Sequence, residues 1–115
     1  MKNFLMLIAT GLLLSACGAP DTTLQDSWLG KWTGPEGTAL MLSKDTKKHR
    51  YLVSIQSLDY LKTYIARPDG QTLEFKRDGK KETIVPGNGE ATGMKWLADK
   101  QDCLIIQSGE GFCRK

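Results

Sequence analysis

Three cysteines, a single histidine and a short glycine-rich run are the residues here whose types and spacing could do chemistry. Cys103 and Cys113 flank the run from Leu104 to Phe112. Folded as a hairpin with a three-residue loop at 107–109, that run sets 106 opposite 110 and 103 opposite 113. Gly109 then takes the left-handed position such loops need. Counted outward from the closing pair, 103 and 113 form a non-hydrogen-bonded pair, where Cα atoms approach to ~4.5 Å and a disulfide fits. The alternative is two buried free thiols. No metal site is expected, since His49 is the only histidine and no Cys-x-x-Cys occurs. His49 lies within Lys47-Lys48-His49-Arg50, among three cations in a turn, where a general base would lack both a carboxylate partner and a shielded pocket. The run Gly87 to Lys95 departs from a phosphate loop because Met94 separates its last glycine from Lys95 and no long helix follows. There is no Gly-x-Ser-x-Gly elbow, and nothing marks a particular carboxylate pair. The chain reads as a protein without cofactor or metal, and not as an enzyme.

The third cysteine has a different setting. Met1-Lys2-Asn3 gives a positive start, and Phe4 to Leu14 is an apolar run broken only by Thr10 and Gly11. About eleven apolar residues are too few to cross a hydrocarbon core of ~30 Å as a helix, so the run reads as the hydrophobic part of a signal peptide. Leu14-Ser15-Ala16-Cys17 then resembles the bacterial lipobox. The alternative is an ordinary secretory signal with an accidental cysteine. Resemblance to the lipoprotein class implies cleavage before Cys17, a thioether-linked diacylglycerol on its sulfur, and acylation of the new amino group. Two or three acyl chains would moor the chain firmly, each buried CH₂ contributing ~0.8 kcal/mol. Gly18 stands where the sorting rule of Gram-negative lipoproteins puts an Asp for inner-membrane retention, which implies the outer membrane, facing the periplasm. The expected organisation is a signal peptide at 1–16, a lipidated flexible tether at 17–27 and one folded domain at 28–115.

A chain of 115 residues with a formal charge of +3 fits one domain and gives no support to a nucleic-acid partner or a polybasic membrane role. From Trp28 onward it consists of short alternating runs between turn signals. Thr38 to Leu42 is the first clear strand, and Asp45 to Arg50 a charged turn. Tyr51, Val53 and Ile55 give the next strand one strongly apolar face. Tyr60 to Arg67 follows, with Leu61, Thr63 and Ile65 on one side, and Arg67-Pro68-Asp69-Gly70 is a turn. Thr72 to Lys76 puts Leu73 and Phe75 on one face, Asp78-Gly79 is a two-residue hairpin signal, and Lys81 to Val85 returns. Trp96 to Lys100 offers at most one helical turn. Seven or eight strands spaced by about ten residues indicate an all-β fold, and closure into a small antiparallel β-barrel removes the edges an open sheet would expose. Roughly 85 residues leave little room inside for a ligand.

Two stretches carry further resemblances. Gly30-Lys31-Trp32 near the start and Arg114 near the end resemble the Gly-x-Trp signature of lipocalin-type barrels. In those a first-strand Trp plugs one end and a late Arg packs over it, which would make Trp32 and Arg114 a barrel end plug. The plain alternative is that Trp28 and Trp32 are core aromatics. Glu90-Ala91-Thr92-Gly93-Met94-Lys95-Trp96 resembles the Ser-Ala-Ser-Gly-Ala-Arg/Lys-Tyr segment of the MliC/PliC family of c-type lysozyme inhibitors, and Lys100 to Cys113 is similar to that family's closing strand pair. The likeness covers roughly residues 90–113 and lacks the family's early Tyr-x-Cys. It implies an antiparallel barrel whose loop enters a lysozyme cleft, with Thr92 supplying a hydroxyl, Gly93 permitting close backbone approach, Lys95 meeting the catalytic carboxylates and Trp96 beside them. Against it stands a plain loop with Trp96 capping the core and Lys95 in water. The functional expectation is a lipid-anchored envelope binding protein, an inhibitor of c-type lysozyme acting through the loop around Thr92 to Lys95. The alternative is a structural or assembly lipoprotein without inhibitor activity, such as a subunit or pilot of an outer-membrane machine or a plasmid exclusion factor.

Overall fold

The computed structural model describes residues 23–45 and 47–114; the expected signal peptide, Cys17 and most of the expected tether lie outside the described residues. Eight strands close into one antiparallel barrel in chain order: β1 (Gly30–Thr33), β2 (Ala39–Asp45), β3 (Arg50–Gln56), β4 (Leu61–Asp69), β5 (Thr72–Arg77), β6 (Lys80–Gly87), β7 (Asp102–Gln107) and β8 (Glu110–Arg114). Period-two alternation sends Trp32, Leu40, Leu42, Tyr51, Val53, Ile55, Leu73, Phe75, Ile84, Leu104 and Phe112 inward, where all are buried. Eight strands leave an interior just wide enough for such side chains to fill.

The turn chemistry accounts for most boundaries. Asp78 (φ 54°) and Gly79 (φ 78°) both adopt the left-handed conformation that a two-residue hairpin between right-twisted strands demands. Two expected boundaries shift. β4 runs through Arg67, Pro68 and Asp69, so the turn falls on Gly70-Gln71. The ladder to β3 has already ended at Tyr51↔Ala66, so Pro68 interrupts no bond on that side. In the last hairpin Gln107 pairs with Glu110 around a two-residue turn, and the extra residue is taken up as a bulge between Ile105 and Gln107. The three-residue loop at 107–109 is thus not formed, but the bulge keeps Cys103 opposite Cys113, with Cα atoms 3.9 Å apart and a disulfide between them.

The tether reading is corrected at its C-terminal end. Residues Leu24–Trp28 form a 3-10 helix laid across one mouth of the barrel. Gln25 is buried, and its Nε2 donates to the carbonyls of Gly70 (2.9 Å) and Thr72 (2.7 Å) at the β4–β5 turn. The Tyr51 hydroxyl donates to Asp26 Oδ1 (2.5 Å) and shares a hydrogen bond with the Thr23 hydroxyl. Lys44 Nζ lies 3.0 Å from the Asp26 carboxylate. Polar residues can look like a tether in sequence, yet here each supplies a donor or acceptor that the barrel's end strands would otherwise lack. The folded unit therefore includes residues 23–27 as well as those from Trp28 onward.

The opposite mouth is closed by charge. Arg77, Glu82 and Glu110 continue the inward-facing rows of β5, β6 and β8. Arg77 makes a bidentate pair with Glu110, both bonds 2.7 Å, and a second contact to Glu82 at 3.1 Å. β5 and β8 are not neighbours, so this pair spans the opening. The Arg77 guanidinium holds the Glu110 carboxyl below its usual range.

Tyr51 and Lys44 likewise hold Asp26 below its ordinary value of 3.8, the Tyr51 hydroxyl contributing most. A carboxylate with a lowered folded-state pKa adds stability above its unfolded value and loses it as pH falls through the folded one. Burial, then the bond to Asp26, raises Tyr51 above 10, so its contribution is kept below pH 10 and lost as pH rises beyond it. Asp26→Asn is expected to lower the thermal midpoint at pH 7 and to flatten its decline between pH 5 and 2, measured by calorimetry; Glu110 sustains the residual slope.

Candidate functional site

Trp32 lies on β1 with its ring 1% exposed, and its Nε1 donates to the Trp28 carbonyl at 2.8 Å. The Arg114 guanidinium sits 4.0 Å from the Trp32 ring centroid, donates to the Ser27 carbonyl at 2.9 Å and pairs with Asp102 at 3.0 Å. The two residues expected as an end plug are thus in contact, and the 3-10 helix is clamped between them and the mouth. The arrangement belongs to barrel closure, since a guanidinium with its face on indole and its edge on a carbonyl and a carboxylate has little left to offer a ligand.

Residues 88–101, joining β6 to β7, fold back over the outer face of the β7–β8 hairpin. Gly89 allows it. A Cβ there would come within 1.5 Å of the Leu97 carbonyl oxygen, and the Gly89 amide donates to the Lys100 carbonyl at 2.8 Å. A first 3-10 turn, Glu90–Thr92, ends at Gly93 (φ 73°), and a second, Lys95–Leu97, follows. Leu97 and the half-buried Met94 pack on the Cys103–Cys113 disulfide, which faces outward from the hairpin. A loop of this size adds about 2–3 kcal/mol when cross-linked, and here the bridge also makes a flat apolar floor for the segment above it.

Thr92 differs from its expected role as a partner-facing hydroxyl. It is fully buried: Oγ1 donates to the Gly89 carbonyl (2.6 Å) and accepts from the Met94 amide (3.0 Å), while its carbonyl accepts from Gly109 (2.8 Å). Its methyl fills the space above Gly111, where a Cβ would approach within 2.7 Å. Thr92 is the internal staple of the loop. Gly93 is a turn residue whose added Cβ would meet the Ser108 hydroxyl at 2.6 Å. Lys95 is exposed and makes no ion pair among the described residues, and Trp96, which the plain-loop alternative would set as a cap on the core, is 76% exposed. Of the four residues expected together on this loop, only Lys95 and Trp96 reach solvent with their functional groups, side by side on a backbone pinned at Gly89, Thr92 and Leu97.

A second feature could not be read from the sequence before the strand pairings were known. The outward-facing rows of β2, β3 and β4 run through Ala39, Met41, Ser43, Leu52, Ser54, Gln56, Leu61, Thr63 and Ile65 without a charge, and become charged only at the strand ends beside the 3-10 helix, where Asp45, Arg50, Arg67 and Asp69 follow. Met41, Leu61 and Ile65 are 44–65% exposed. Only Leu61, Thr63 and Ile65 were visible as a set, because the face is assembled from three strands and needs the register.

His49 is exposed in the β2–β3 turn with φ 50°. A groove of about 670 Å³ follows the β1–β8 seam, lined by Lys31, Thr33, Asp102, Cys113 and Arg114. No family model matches the chain, and no curated protein or solved structure does either.

Thr92→Val, which keeps shape and removes the hydroxyl, is expected to cost about 1–3 kcal/mol by leaving the Met94 amide unpaired. The thermal midpoint should fall by roughly 5–15 °C. A residue that served only a partner would leave that midpoint where it is.

Proposed function

We propose that the mature chain is a lipid-anchored, non-enzymatic binding module of the cell envelope that holds a protein partner through Lys95 and Trp96. The anchor rests on the lipobox-like Leu14-Ser15-Ala16-Cys17 behind its apolar run. The binding role rests chiefly on one observation: a tryptophan 76% exposed beside an exposed lysine, on a loop fixed by hydrogen bonds and a disulfide. Leaving so large an apolar ring in water adds nothing to the fold, whereas a rigid aromatic is the kind of anchor that dominates interface energies at low ordering cost. The barrel interior is filled by side chains, which favours a surface role over carriage of a small apolar ligand.

If the partner is a c-type lysozyme, as the likeness of residues 90–113 implies, the hydroxyl role of Thr92 drops out and the contact reduces to the Lys95 ammonium against catalytic carboxylates with Trp96 on the cleft wall. The test is lysis of cell walls by c-, g- and i-type lysozymes in the presence of residues 19–115. Inhibition should weaken about thirtyfold or more in Trp96→Ala, with an unchanged thermal midpoint. Absence of inhibition at micromolar protein removes the lysozyme as partner. A photo-crosslinking residue in place of Trp96 then tests the module itself: one discrete adduct in the envelope supports it, and none overturns it.

A second reading, a subunit of an envelope assembly, is favoured by the uncharged stretch of the outer face of β2–β4 around Met41, Leu61 and Ile65. Under that reading Ile65→Lys abolishes the adduct formed from a crosslinker at Met41, while Trp96→Ala leaves it intact.

A further inference from the structure

The small net charge conceals a polarised molecule. The 3-10 helix through which the chain enters the fold ends one mouth of the barrel, and Thr23 bonds to Tyr51, one residue beyond Arg50. The β2–β3 turn with Lys47, Lys48 and His49 therefore stands at the mouth where the N-terminal segment arrives. Three carboxylates at this mouth are each taken up by a cation, Asp26 by Lys44 (3.0 Å), Asp45 by Arg50 (3.2 Å) and Asp102 by Arg114 (3.0 Å), while the exposed Asp69 at the end of β4 is offset by the exposed Arg67 on the same strand. Lys47 and Lys48 are exposed and make no ion pair among the described residues. At the far mouth, by contrast, Arg77 is shared between two glutamates, Glu82 and Glu110.

We propose that this basic mouth is a docking surface for an anionic phospholipid bilayer. The inference rests on the anchor at Cys17 proposed above, which fixes where the membrane must be. Only residues 18–22 separate Cys17 from Thr23, a stretch that spans at most about 20 Å fully extended. A lipid on Cys17 keeps the mouth bearing Lys47 and Lys48 within that distance of the headgroups, so that the turn can come within the ~8 Å over which surface charge acts at physiological salt. Each lysine that close to an anionic surface raises partitioning about fivefold. The barrel then stands upright, with its far mouth toward the aqueous phase and Lys95 and Trp96 on its flank, open to a partner.

The test is lysine footprinting. The lipidated mature chain is reconstituted in vesicles of phosphatidylcholine alone or with 30 mol% phosphatidylglycerol, and acetylation rates are read by mass spectrometry. Lys47 and Lys48 should react about tenfold more slowly on the anionic vesicles than on the neutral ones, and the protection should vanish at roughly 0.5 M salt. Lys80 and Lys81, in the hairpin at the far mouth, should not change. Equal rates for the two pairs on anionic vesicles, or protection of Lys80 and Lys81 instead, overturn the proposal. If mass spectrometry finds Cys17 without lipid, the anchor reading fails. Residues 17–115 coupled through the Cys17 thiol to a maleimide lipid then give the same tether and the same readout.

Discussion

The contact between the Arg114 guanidinium and the Trp32 ring holds the barrel shut where its hydrogen bonding is thinnest. β1 is four residues long and pairs with β8 at the single position Thr33↔Cys113. A seam that short would open readily if it depended on its ladder alone. Arg114 adds a stacking contact to the first strand, a hydrogen bond to the 3-10 helix and an ion pair to β7, linking four separate segments through one side chain. The indole is buried while the Arg114 side chain is 34% exposed, which sets the contact between the ~0.5–1 kcal/mol of exposed pairs and the ~2 kcal/mol of desolvated ones. With the seam held, the remaining seven ladders follow from alternation and turns. Without it, the same strands would form an open sheet with Trp32 and Phe112 near a bare edge.

What the sequence makes legible is what short-range chemistry dictates. Asp78-Gly79 marks its hairpin because both residues tolerate positive φ, and Leu73 and Phe75 mark an inward face because a two-residue period allows no other reading. Cys103 and Cys113 are legible as a pair since any hairpin between them, with a three-residue loop or with a two-residue turn and a bulge, keeps them opposite. What escapes is set by partners far away in the chain. Gln25 and Asp26 look like linker residues until Gly70, Thr72, Tyr51 and Lys44 are placed around them, at separations of 18 to 47 residues. Thr92 looks like a free hydroxyl until Gly111 and Gly109 are found beneath it. Trp96 is the reverse: its size argues for the core, and only the closed packing of Leu97 and Met94 on the disulfide shows that the core needs nothing from it.

The candidate binding loop and the disulfide form one construction. An outward-facing disulfide on a two-stranded hairpin would ordinarily be exposed to solvent and to exchange with thiols. Here the 88–101 segment covers it, both cysteines being fully buried, and the bridge in turn gives Leu97 and Met94 a surface to rest on. The glycines are the means: Gly89 lets the Leu97 carbonyl pass and Gly111 lets the Thr92 methyl settle on the sheet, each at a distance no side chain would permit. The segment is tied down along most of its length while Lys95 and Trp96 stay outside, which is the geometry that spares a binding loop the ordering cost of association.

The two ends of the barrel are closed by different chemistry, and the difference bears on orientation. At the far mouth, closure uses a cation between two carboxylates, all three of them mostly buried and paired with one another. At the near mouth, Asp26, Asp45 and Asp102 are each matched by a cation, Asp69 and Arg67 on β4 make no ion pair among the described residues, and neither do the lysines of the β2–β3 turn. A helix that plugs the near mouth places Thr23, where the described chain begins, at that same mouth, so the proposed anchor and the basic turn would be brought together by the requirement to close the barrel. Net charge could not reveal this, because a sum over the chain erases position. The placement of charge follows from the plug, and the plug follows from the need to cover the inward-facing Trp32 and Tyr51 where the strands end.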